Sequence, residues 1–492
     1  MFEATIARRE KVFYILFFSV YVIHHLLTLS FSPIPWIDEV AFADLTHSFS
    51  RNHTFYENAF GFGGHEPVLI YGPVYFMIQT AVTKVFGFTL FTFRMTNLFF
   101  GLADLALIYR LCMRLNLKAG VAMLIVFIIS LDPQFNQFLN SGRMDFVALF
   151  FYLAAFLLLL AQRSRERQNI ACLILAGILL SLAALTNPRI LFAYPAFAAY
   201  FVYDLYLSKR LTRQIVLRYG VICASMLAVY YLWVLMEFGS FGRYLSETFN
   251  NQNIKNHVGF NAGNFYFRYN VLFFIGAFAC IALLIFRKKV KENAELLLAT
   301  APVIMGFLLI VTHGISGRYY GTIVPFVILL IAGSSYALFS TRAFKAIALL
   351  MVAPFITALI AKAAYVYGTL DAHDHAAYER EIFRHVPDSV RVAGDFAYYY
   401  MATDHHCDYE VIEQEGYVYD RITYFENKKY DYLIINKNNQ YKALYDSTLI
   451  QKEYLPVANV IRNNGHSLFH DLFFKMGMRI SEDYDCTIYK LK

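Results

Sequence analysis

The 492-residue chain is 58% hydrophobic and 18% aromatic, with a mean hydropathy of +0.45. Only 16% of its residues are charged, against about 25% in soluble domains, which excludes an ordinary soluble protein and indicates an integral membrane protein. The net charge of +7 implies no nucleic-acid partner, because most basic residues fall in short clusters between apolar runs, as anchors on one side of a membrane do.

Arg8, Arg9, Glu10 and Lys11 precede an apolar run that starts at Val12. No small-residue cleavage site follows it, so this is a retained first span rather than a signal peptide. Apolar segments suitable for spans cover 12–31, 93–113, 119–133, 146–161, 170–187, 190–207, 219–236, 270–286, 294–312, 319–339 and 344–367, about eleven in all. Residues 74–91 are also apolar, but they contain Gln79 and Lys84 and follow Pro67, Gly72 and Pro73. Parity decides their fate. If 74–91 does not cross, the basic clusters at 8–11, 110–118, 163–167, 209–218, 287–291 and 342–345 all fall on one side. If it crosses, every cluster after the first moves to the opposite side, against the charge bias that orients membrane proteins. The segment therefore reads as interfacial or re-entrant, the N-terminus as inside and the C-terminus as outside.

Residues 33–92 then form one long outer loop. It opens with Ser32-Pro33-Ile34-Pro35-Trp36-Ile37-Asp38-Glu39, two adjacent carboxylates and one of only two tryptophans just past the first span. Ionisable residues at a membrane face suggest a functional site. The plain alternative is that Asp38 caps a surface helix and both acids favour its dipole. Val40–Phe49 has the pattern of a short amphipathic helix lying on the membrane. Further outer pieces are 134–145, Thr186–Arg189, 237–269 and His313–Arg318.

Composition shifts near residue 368 toward Asp, His, Tyr and Asn. Strand-like stretches at Ser389–Ala393 and Tyr430–Asn436 predict a small α/β or α+β domain over 368–492. Cys407 and Cys486 fall in this tail and are able to pair if it is outside. His373/Asp374/His375 and Asp404/His405/His406 lack matched metal-ligand spacing, so no metal site is assigned. The expected architecture is a polytopic α-helical membrane protein, 1–367, followed by an extracytoplasmic C-terminal domain.

With this topology, ionisable residues gather at the outer span ends. Asp38 and Glu39 follow span one, Arg94 starts span two, Arg143 and Asp145 precede span four, Arg189 lies between spans five and six, and Arg318 opens span ten. Singly, each arginine reads as an interfacial anchor. Together, on the face where the charge bias depletes arginine, they suggest carboxylates that activate a nucleophile and guanidinium groups that hold phosphate.

The order of these features resembles the GT-C membrane glycosyltransferases, specifically the glycosyltransferase family 39 group. The residues carrying the resemblance are Asp38-Glu39, Tyr71-Gly72-Pro73-Val74-Tyr75-Phe76 and Lys84-Val85-Phe86-Gly87, then Arg94 with Gly101, and Arg143-x-Asp145. Thr186-Asn187-Pro188-Arg189 and Arg318-Tyr319 followed by Pro325 are similar more loosely. The likeness covers about residues 10–340. Gly72, Thr96 and Arg189 depart from residues common in relatives, where proline, proline and lysine are frequent.

The resemblance implies a sugar on a polyprenyl monophosphate, attacked at its anomeric carbon by an acceptor hydroxyl of a protein, lipid or glycan, with inversion. It assigns catalysis to Asp38, as general base, with Glu39 orienting Asp38 or the sugar. Arg94, Arg189 and Arg318 become candidates for the leaving phosphate, and Asp145 for sugar hydroxyls or Arg143. Arg143, Tyr71, Tyr75 and Tyr319 join the donor-binding set. A divalent cation is optional with such a donor, and the expected location is the plasma or inner membrane. The competing class is a multi-span transporter, or a lipid-linked sugar flippase or binding protein without transferase activity; a transporter's site normally lies near the midplane among broken or repeated helices.

Overall fold

The computed structural model describes residues 8–55, 58–59, 71–165, 167–251, 269–313, 320–412, 429–437, 450–462 and 483–492. Helix α1 (Arg8–Thr28) turns Val12, Phe13, Leu16, Val20 and Leu27 outward, a surface that only a hydrocarbon solvent tolerates. Next come α2 (Ile37–Asn52), α3 (Val74–Phe86), α4 (Leu90–Arg114), α5 (Ala119–Leu131) and α6 (Pro133–Leu139). The chain continues with α7 (Asp145–Arg163), α8 (Ile170–Thr186), a 3-10 turn at Pro188–Ala193, α9 (Pro195–Ser208), α10 (Arg213–Phe238) and α11 (Phe241–Asn251). Then follow α12 (Tyr269–Phe286), α13 (Ala294–Ala299), α14 (Pro302–His313), α15 (Tyr320–Leu338) and α16 (Thr341–Gly368).

Each apolar segment read from the sequence coincides with a helix or a pair of helices. Among the described residues, seven helices are long and apolar enough to cross a membrane, and the bent α5–α6 pair makes an eighth. Helix α8, α12 and the α13–α14 pair are apolar but shorter. At 1.5 Å per residue α3 spans only about 20 Å, well short of a hydrocarbon core of about 30 Å. Helices α7 and α15 form the buried centre, and α1, α10 and α16 lie outside with apolar flanks.

Two expectations change. Residues 134–145 are not an exposed loop. The chain bends by 70° after α5, and Asp132 caps α6 by accepting from the amides of Gln134 and Phe135, both at 2.9 Å, with Pro133 in the first turn. Helix α6 is thereby tucked into the bundle, with Gln134, Phe135, Asn136 and Phe138 buried. The segment expected to lie on the membrane is the longer α2, buried on several faces: Glu39, Val40, Phe42, Ala43, Asp44, Leu45, Thr46 and Ser48 are all enclosed.

What covers α2 is the C-terminal module. Helix α17 (His375–Ile382) leads into a five-stranded mixed sheet of β1 (Arg391–Gly394), β2 (Asp408–Val411), β3 (Tyr432–Asn436), β4 (Tyr454–Val460) and β5 (Cys486–Leu491), ordered β2-β1-β3-β5-β4. Strand β1 runs parallel to β2 and β3, while β5 is antiparallel to β3 and β4, pairing Ile434 with Ile488. Tyr399 and Tyr400 of α18 (Tyr399–Asp404) seat this module on the 37–93 region. Tyr399 donates to Asp44 at 3.1 Å, and Tyr400 packs on Phe88 and Phe93. Cys407 and Cys486 are free thiols.

Candidate active site

The chain leaves α1 through Pro33 and Pro35, and α2 starts after Trp36, whose extended backbone caps it without a side-chain hydrogen bond. Asp38 therefore does not cap the helix. It and Glu39 sit side by side in the first turn, where neighbouring side chains diverge by roughly 100°. That divergence sends the two carboxylates to different partners.

Glu39 points into the bundle. Arg94 of α4 grips it with two parallel bonds, Nε to Oε1 at 2.7 Å and Nη2 to Oε2 at 2.8 Å, and both residues are fully buried. Nη1 of Arg94 donates to the Leu29 carbonyl at 2.7 Å, tying the end of α1 to α4. The Gly142 amide donates to Glu39 Oε1 at 2.7 Å. A Cβ on Gly142 would stand 2.3 Å from the Phe93 ring and 3.0 Å from that same oxygen, so this approach requires glycine. The pair is a clamp joining α1, α2, α4 and the 140–144 turn.

Asp38 points the other way and keeps 27% of its side chain exposed. Arg143 bridges the two aspartates, Nη1 to Asp38 Oδ2 at 2.9 Å and Nε to Asp145 Oδ2 at 2.7 Å. Its guanidinium lies 4.9 Å from the Trp36 ring and 5.3 Å from Phe138, so stacking and ion pairing together fix its plane. Asn97 of α4 steadies the turn that carries it, donating to the Ser141 carbonyl at 2.6 Å. Asp145, almost fully buried in the first turn of α7, also accepts from Asn187 at 3.2 Å. One guanidinium thus serves two carboxylates.

Beyond Asp145 a narrow crevice is lined by Asn187, Arg189, Ile190 and Thr322. Arg189 is half-buried, its guanidinium 5.4 Å from the Tyr71 ring. Gly72 brings the following turn against α8, where a Cβ would meet the Leu185 carbonyl at 2.1 Å. Tyr75 is fully buried, and its hydroxyl accepts from Gln79 at 2.8 Å, while Gln79 in turn accepts from Thr96 at 3.0 Å. Arg318 and Tyr319 lie outside the described residues.

Of the residues singled out in the sequence, Asp38, Arg143 and Asp145 are therefore joined by ion pairs, Asp145 and Arg189 line the crevice, and Tyr71 lies beside Arg189. Glu39, Arg94 and Tyr75 are fully buried, and none of them lines the crevice. Sequence reasoning missed Asn187 and Gly142 as partners of the carboxylates, although they lie in the Thr186–Arg189 and 134–145 pieces it noticed. It also missed Asp44, a buried acid held by the Ala59 amide at 2.8 Å and by Tyr399. Burial pushes the Asp44 carboxyl up to about 6, although both donors pull the other way. Of the histidines in the tail, His405 pairs with Asp388 at 2.7 Å and His373 with the Thr369 carbonyl at 2.9 Å. Among the described residues no group of three or more His, Cys, Asp or Glu side chains is arranged so that it could hold a metal ion.

Residues 66–233 match the family model described as dolichyl-phosphate-mannose-protein mannosyltransferase. No curated protein matches the sequence at a significant level. In fold, the chain is similar to ArnT from Cupriavidus metallidurans bound to undecaprenyl phosphate, with a TM-score of 0.61 at 11% identity over 98% of both chains. It is similar also to the apo state of that protein, with a TM-score of 0.58 at 11% identity and the same coverage. An apolar bundle with a carboxylate–arginine cluster at one end, a small C-terminal sheet module above it, and this similarity over nearly the whole length place the chain among proteins of the GT-C membrane fold, resembling glycosyltransferase family 39.

Proposed function

We propose that the protein transfers a sugar from a polyprenyl-phosphate donor to an acceptor hydroxyl, with inversion, on the extracytoplasmic face of the membrane. The observation that carries this reading is the Arg143 bridge, which holds two aspartates in one geometry, Asp38 partly exposed and Asp145 lining the crevice. Asp38, the exposed member, takes the proton of the acceptor hydroxyl. The acceptor oxygen bonds to the anomeric carbon from one side as the bond to the phosphate oxygen breaks on the other, and polyprenyl phosphate leaves. Arg189 receives the charge that develops on that phosphate, a role suited to a planar guanidinium beside an aromatic ring. Asp145, fixed by Arg143 and Asn187, orients Arg143 and is placed to meet sugar hydroxyls at the crevice.

Glu39 and Arg94 take a different role from the one the resemblance suggests. Both Glu39 oxygens are engaged and the pair is fully buried, so it supports the site by fixing the start of α2. The location rests on the basic loops, which gather at the opposite helix ends from this cluster and favour the cytoplasmic side. A transporter would place its charges near the midplane, whereas these lie at the ends of α2, α4 and α7. The test is transfer of labelled sugar from polyprenyl phosphate to acceptor by the purified full-length protein. Donor movement across vesicles with no product formed would support the transporter instead.

A further inference from the structure

At the far end of the bundle a groove of about 510 Å³ opens between α9 and α10. Leu211 marks its mouth in the turn joining the two helices, and Val216, Gly220, Cys223 and Met226 line it along α10. The tyrosine hydroxyls beside it are engaged elsewhere: Tyr219 donates to Asp204 at 2.9 Å and Tyr194 to the Leu180 carbonyl. The surface left to an occupant is apolar, which suits a hydrocarbon chain and no polar metabolite. From Val216 to Met226 the groove follows α10 for about 15 Å, half of a hydrocarbon core of about 30 Å. Its length is that of one leaflet.

The mouth carries charge of one sign. Lys209, Arg210 and Arg213 are exposed around Leu211. The acids of the neighbouring ion-pair cluster are held by other arginines, Asp204 by Arg163 at 2.7 Å and Arg218 at 2.6 Å, and Glu295 by Arg163 at 2.9 Å. We propose that this groove binds a phospholipid with an anionic headgroup, one acyl chain lying between α9 and α10 and the headgroup resting on Lys209, Arg210 and Arg213. An apolar slot of single-leaflet depth with cations at its rim matches that ligand in both length and charge.

Native mass spectrometry of the full-length protein with phosphatidylglycerol or phosphatidylcholine tests this. The wild type should retain phosphatidylglycerol preferentially, and the triple substitution Lys209→Gln, Arg210→Gln, Arg213→Gln should weaken that affinity between about ten- and a hundredfold. Gly220 lines the groove and a Cβ there meets no atom within 4 Å, so Gly220→Leu has room to begin its side chain and should displace lipid as well. In the wild type, phosphatidylglycerol should also slow maleimide labelling of Cys223, with Cys172, outside the groove, as internal reference. Equal retention of both lipids by the wild type would overturn the proposal. So would a preference that both variants keep, or displacement of phosphatidylglycerol by polyprenyl phosphate at lower concentration.

Discussion

Arg94 closes on both oxygens of Glu39, at 2.7 and 2.8 Å, with neither side chain reaching solvent. Its neighbour in sequence, Asp38, keeps an open edge and shares Arg143 with Asp145. Two adjacent carboxylates thus take different partners, Glu39 inside the bundle and Asp38 at a partly exposed position.

The buried pair should govern stability. Removing one partner strands the other charge in the interior, at a cost of about 3–5 kcal/mol. Glu39→Gln and Arg94→Met should therefore lower the thermal unfolding midpoint of the detergent-solubilised protein sharply. The correctly folded fraction of Glu39→Gln should still bind donor. An unchanged midpoint with donor binding abolished would return Glu39 to the chemistry.

Arg143→Lys should preserve the charge and lose the planar bridge. Lys has one ammonium where Arg143 uses Nε and Nη1 for different aspartates, so the two carboxylates would no longer be held in one geometry. Misplacement of this kind costs on the order of a hundredfold in kcat. Kinetics at saturating donor would show it, and a wild-type kcat would mean that the bridge does not position the site.

Arg189→Lys should act on binding. Its guanidinium lies beside Tyr71 at the crevice, outside the buried clamp, so the unfolding midpoint should stay within a degree or two and KM for the donor should rise about tenfold. A lowered midpoint with unchanged KM would make Arg189 a structural anchor.

The first-span exit was legible because acids at the end of an apolar run are conspicuous, and β1 and β3 because their β-branched stretches stand out in a polar tail. The divergence of Asp38 and Glu39 was not, since it depends on which side of α2 faces α4. Nor was the burial of α2, which Tyr399 and the C-terminal sheet impose from 355 positions away in the chain. The sharp bend at Asp132-Pro133 had a signal, an acidic cap followed by proline, yet hydropathy alone runs through it. Arg94 read as a phosphate ligand because its span-end position is the same whether its guanidinium turns inward or outward.

Asp44 gives the stability a pH dependence. Its carboxyl is pushed from 3.8 to about 6 by burial, so the folded state binds the proton more tightly than the unfolded chain. Stability from this group is greatest below about pH 4, declines as pH rises, and levels off above about pH 6. Asp44→Asn should remove that decline, so its unfolding midpoint relative to the wild type should rise between pH 4 and pH 6. Parallel pH profiles for the two proteins would contradict the assignment.

The central claim is that Asp38 is the general base, and its most direct test is the turnover of Asp38→Asn. Asparagine keeps the size and the acceptor oxygen that meets Arg143 but does not take a proton from the acceptor hydroxyl. Labelled-sugar transfer from polyprenyl phosphate, measured on protein whose insertion and unfolding midpoint match the wild type, should fall by about a hundred- to ten-thousandfold. Donor binding should be retained. Near-normal turnover by Asp38→Asn would remove Asp38 as the base and transfer that role to Asp145, the other carboxylate on Arg143.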